Sequence, residues 1–95
     1  MRAYELTFIV HPELDDSAFN EVVERVKIWI SDSGGEITQI DFWGKRKLAY
    51  EISKQTEGNY VLMKTNIAPT FCAELERNLG LTEQVLRYLI VSTEE

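Results

Sequence analysis

Ninety-five residues, 44% of them hydrophobic and ten of them aromatic, suffice for one domain around one core and leave no room for a cleft between two domains. The formal net charge of -6 excludes a chain that holds nucleic acid by bulk charge alone. The acidity serves solubility, or it matches a basic protein partner. The single cysteine, Cys72, excludes an internal disulfide and a multi-cysteine metal site. No apolar run approaches the roughly 20 residues that span a bilayer. The opening "MRAYELTFIVHP" shows no secretory pattern, so a soluble cytoplasmic protein is expected.

"YELTFIV" (Tyr4–Val10) is rich in aromatic and β-branched residues and reads as a central strand. Pro12 stops it, and Asp15 or Ser17 can cap a following helix. From about Asp16 to Ser33 the period lengthens. Phe19, Val22, Val23, Val26, Trp29 and Ile30 then form one apolar stripe. "SGG" ends the helix, with Gly34 or Gly35 in the left-handed conformation.

"EITQIDFW" begins a second strand, which Gly44 bends or bulges before it resumes through "KLAYEIS". There Leu48, Tyr50 and Ile52 alternate on one side, and Leu48 is expected to be buried. "KQTEGN" reads as a hairpin turn, and "YVLMKTNI" (Tyr60–Ile67) as the third strand. Pro69 and Thr70 open a short helix with Phe71, Leu75 and Leu79 on one face, Cys72 as a small buried hydrophobe, and Gly80 past its end. "VLRYLIVS" closes the pattern as a fourth strand.

The order β-α-β-β-α-β predicts an α+β fold over residues 1–95. It is a ferredoxin-like split βαβ, a four-stranded antiparallel sheet with two helices on one face. Strands one and three take the centre. The other sheet face has no helix to cover it, and an uncovered face bearing aromatic residues is a surface for a ligand.

Catalysis is excluded by counting. His11 is the only histidine and reads as a loop residue beside Pro12. With one cysteine there is no nucleophile–base pair. No glycine-rich phosphate loop follows a strand, and Asp15-Asp16 reads as helix capping rather than a metal pair. No cofactor and no metal are expected.

The exception to this anonymity is "FWGKRKLAYEISK" (Phe42–Lys54), with Lys45, Arg46, Lys47 and Lys54 among aromatic residues. Cations of this kind meet phosphates, and rings such as Trp43, Tyr50 and Tyr60 can stack on bases. Equally, the run can be a solvated turn and Tyr50 can belong to the core. Arg2, at the start of a central strand, could join the same surface.

Four segments, "MRAYELTFIVHP", "WGKRKLAYEISK", "GNYVLMK" and "VLRYLIV", in this order and spacing, resemble the sixth protein of the bacterial small ribosomal subunit. The resemblance implies a non-enzymatic, primary ribosomal role. It implies pairing with the basic small-subunit protein numbered eighteen, and joint binding of the central domain of the small-subunit rRNA. The isolated chain is then expected to be a monomer. By position, the RNA-facing set implied is Arg2, Lys45, Arg46, Lys47, Lys54 and Arg87. The chain departs from many members at Glu51, where they carry proline. The competing readings are an RRM-type binder of single-stranded RNA, and a regulatory or oligomerisation domain using its open sheet face.

Overall fold

The computed structural model describes residues 1–93. Its elements are β1 (Arg2–Val10), α1 (Asp16–Asp32), β2 (Glu36–Ile52), β3 (Gln55–Ile67), a 3-10 turn (Pro69–Phe71), α2 (Cys72–Gly80) and β4 (Val85–Ser92). The strands form one antiparallel sheet in the order β2-β3-β1-β4, so β1 and β3 are central as expected. Alternation along β1 sends Leu6, Phe8 and Val10 to one side, where all three are buried. Met63 and Val61, the register partners of Leu6 and Phe8 on β3, join them, and the α1 stripe (Val22, Val26, Ile30) and Leu75 and Leu79 of α2 close the same core. Both helices therefore cover one face. This is the predicted ferredoxin-like α+β fold.

Local chemistry sets the ends of α1. Asp15 Oδ1 accepts a hydrogen bond from the Ala18 N–H at 2.8 Å, so Asp15 rather than Ser17 is the cap. Gly34, at φ +85°, supplies the left-handed residue past the helix. Gly35 serves a different need. A Cβ there would lie 2.8 Å from the Asn66 carbonyl oxygen and 2.7 Å from Ile67 Cγ2, so only glycine lets the chain pass this close to β3.

Gly80 closes α2 rather than following it, and Pro69–Phe71 form a 3-10 turn before it. Three further features differ from the sequence reading. β1 begins at Arg2 rather than Tyr4, because residues 2–3 pair with Ile67 and Asn66 of β3. The β2–β3 turn is not "KQTEGN" but the two residues Ser53 and Lys54, at φ 48° and 65°. Positive φ at both turn positions matches the twist of the flanking strands, so the ladder runs on to Ile52 and Gln55. Gly58, which looked like a turn residue, lies inside β3 against Ile9.

The third difference is the shape of this hairpin. β2 slips register between Ile37 and Gln39, between Phe42 and Gly44, and between Lys47 and Ile52. In each case the extra residues lie on β2, and surplus residues on one strand bend a ribbon. The outer part, residues 45–58, becomes an arm that curves over the open sheet face. Leu48, Tyr50 and Ile52 there meet Thr7, Ile9, Tyr60 and Leu89 around a cleft of about 300 Å³. Leu48 is thus half-buried and belongs to the arm, not to the core. The expectation of a buried core leucine is corrected accordingly.

Candidate nucleic-acid interface

Period-two alternation sorts the six candidate cations onto different surfaces. Arg46 stands opposite Gly58, and Arg87 opposite Ile9, both on the sheet side that faces away from the helices. Lys45, opposite Asn59, falls on the other side of the ribbon, near Pro12, Glu13 and Leu14. Lys47 stands opposite Glu57 and shares that side by alternation. Lys54 is at the arm's tip. Arg2 is separate from all of them. It begins β1, whereas Lys45 lies level with Val10 at the other end, about 26 Å away at roughly 3.3 Å per residue. The arm therefore gathers Lys45, Arg46, Lys47 and Lys54, the open face adds Arg87, and Arg2 is not brought to the cluster.

All six side chains are exposed, and among the described residues none lies within ion-pair distance of a carboxylate. The ion pair present is Lys27–Glu24, on α1. Two of the cations instead rest on rings. The Arg46 guanidinium is 5.6 Å from the centroid of Trp43, and that of Arg87 is 5.5 Å from the centroid of Tyr50. Both lie inside the range of cation–π attraction. Trp43 in turn stacks on Tyr60, with centroids 6.3 Å apart and planes 17° from parallel. Tyr50 is 58% exposed, so it is an arm residue and not a core one.

The sequence reading passed over the rest of the open face. Leu89 and Val91 of β4 are exposed there beside Arg87, and Lys64 stands in the same layer opposite Glu5. The alternation Arg87, Leu89, Val91 along β4 was the signal that placed these residues together. Chemistry elsewhere is sparse. His11 Nδ1 accepts a hydrogen bond from the Glu13 N–H at 3.2 Å, within the β1–α1 loop. Cys72 is half-buried against the core. No three of His, Cys, Asp and Glu cluster as metal ligands among the described residues. No helix among them is long and apolar enough to cross a membrane.

The family model described as ribosomal protein S6 matches residues 3–92, which takes in the sheet, both helices and the arm. The chain belongs to the ribosomal protein S6 family. As an S6 protein it is a structural constituent of the small ribosomal subunit and not an enzyme. It is 48% identical over 95 residues to the small ribosomal subunit protein bS6 of Caldanaerobacter subterraneus, covering the whole of both chains. It is 50% identical, again over the full length of both, to bS6 of Thermoanaerobacter pseudethanolicus. The crystal structure of 30S ribosomal protein S6 from Thermotoga maritima superposes with a TM-score of 0.90 at 33% identity, over 96% of this chain and 86% of that one.

Proposed function

We propose that this S6 chain, acting as one domain over residues 1–95, binds the central domain of the small-subunit rRNA. It does so jointly with the basic small-subunit protein numbered eighteen. The observation that carries the reading is the arm. Lys45, Arg46 and Lys47 are consecutive, exposed and without carboxylate partners among the described residues, in a chain of net charge -6. Phosphate contacts displace counterions and attract RNA over distance. Three or four such contacts against six excess negative charges hold RNA weakly, so a basic partner supplies the remaining attraction and the arm supplies position. The isolated chain is a monomer, since its core closes within one copy, and it works in the cytoplasm on the ribosome.

Filter binding of central-domain RNA tests this with the chain alone, the partner alone and the pair, each at several salt concentrations. The expected result is tight, salt-sensitive binding by the pair and weak binding by the chain. Equal affinity of the isolated chain and the pair overturns the proposal.

A further inference from the structure

We infer that Trp43 is the stacking platform for one unpaired RNA base, so that the arm reads an unstacked nucleotide as well as phosphates. This rests on the reading above that the arm faces RNA. Trp43 is the extra residue of β2 at the slip between Phe42, opposite Val61, and Gly44, opposite Tyr60. Phe42 turns toward α1, where its ring meets Phe19 edge-on at 6.2 Å. The indole turns the other way, onto Tyr60, and Arg46 lies over it. Two neighbours thus hold the plane of the indole, yet 46% of the residue is open to solvent. Gly44 beside it carries no side chain, and a Cβ there would meet nothing within 4 Å, so the backbone next to the indole is uncrowded, and a base stacks on the ring by taking the place of the Arg46 guanidinium.

A flat, oriented and accessible indole with Lys45, Arg46 and Lys47 in the next three positions but one presents two kinds of recognition at once. The ring takes a planar π-system, and the cations take the negative charge attached to it. A nucleotide carries both. A base inside a duplex keeps its stacking partners, so the ligand is a base in a loop, bulge or junction. The exposed apolar residues Leu89 and Val91 are on β4, at the opposite edge of the sheet from the strand that carries Trp43.

The test uses the full chain with its basic partner and central-domain RNA. Tryptophan emission is compared between the wild-type chain and Trp43→Phe, in which Trp29 is the remaining indole. RNA should quench the wild-type emission and leave Trp43→Phe largely unquenched. Trp43→Ala should weaken binding by about 5- to 150-fold, the range of a lost base stack, without changing the slope of log affinity against log salt. Trp43→Phe should retain most of the affinity. If RNA does not quench Trp43, the inference is wrong, and that measurement does not depend on whether Trp43→Ala folds. If the partner protein alone produces the quenching, Trp43 belongs to a protein interface and the inference is equally wrong. The arm triple substitution of Lys45, Arg46 and Lys47 by alanine separates the two levels. If it weakens binding while Trp43→Ala does not, only the base stack fails. If neither substitution weakens binding, the RNA-facing role of the arm fails with it.

Discussion

Arg87 and Tyr50 meet across the whole width of the sheet. Arg87 belongs to β4 and Tyr50 to the outer part of β2, and these strands form opposite edges, yet the guanidinium lies 5.5 Å from the ring centroid. The contact exists because the bulged arm curves back over β3 and β1, with Leu48 and Ile52 facing Ile9 beneath it. Ile9 is 7% exposed for this reason, although no helix covers its side of the sheet. The arm is therefore a second layer, held by a small apolar contact and by the cation–π pairs Arg87–Tyr50 and Arg46–Trp43.

A double-mutant cycle measures the Arg87–Tyr50 pair. Arg87→Ala, Tyr50→Ala and the double variant should give a coupling energy of about 0.5–1 kcal/mol, the value for a partly exposed cation–π contact. Tyr50→Ala should also speed amide exchange in residues 48–56 while moving the global melting temperature by only a few degrees. Strictly additive single effects would mean that the arm does not rest on β4 in solution.

The arm and the core should also differ in what a leucine is worth. Leu75, 1% exposed and in the core, should cost about 2–5 kcal/mol when truncated to alanine. Leu48 is half-buried and leaves an open cleft rather than a sealed cavity, so Leu48→Ala should cost about 1 kcal/mol. Urea denaturation of both variants checks the ratio. Equal losses would place Leu48 in the core after all.

The core was legible because each element carries its own period. Phe8 with Val10, and Val22 with Val26, announce their faces without knowledge of any neighbour. The strand order followed from the alternation of elements. The arm was not legible, since its curvature depends on which β2 residues lack a partner on β3. Trp43 and residues 48–51 become bulges only once the pairing is known. "TEGN" resembles a turn more than Ser53-Lys54 does, and the choice between them is made by packing of Gly58 on Ile9. The candidate site was legible in composition but not in arrangement. Alternation separates Arg46 from Lys45 and Lys47, while the remoteness of Arg2 appears only when β1 is paired along its length.

That packing yields a prediction of its own. A Cβ on Gly58 would come within 2.2 Å of Ile9 Cγ2, and the branched side chain of Ile9 has little room to yield beneath the arm. Gly58→Ala should destabilise by about 1–3 kcal/mol, as overpacked sites do. The loss should shrink when Ile9→Ala is combined with it, because the clashing methyl is then gone. Chemical denaturation of the two single variants and the double variant decides the matter, and an undiminished penalty in the Ile9→Ala background would place the strain elsewhere.

The cations of the arm should govern RNA binding and leave folding alone. Lys45, Arg46 and Lys47 are exposed and make no ion pair among the described residues. Replacing all three by alanine should change stability by no more than about 0.5 kcal/mol each, with the Arg46–Trp43 contact the largest share. Binding of the protein pair to central-domain RNA should weaken. The slope of log affinity against log salt should flatten by roughly one unit for each phosphate contact removed. Arg2→Ala supplies the comparison. It lies about 26 Å along β1 from the arm's base by strand rise, so any loss it causes should add to that of the triple variant without coupling. A triple variant that melts well below the wild type while keeping the wild-type salt slope would show that these cations hold the arm and do not touch RNA.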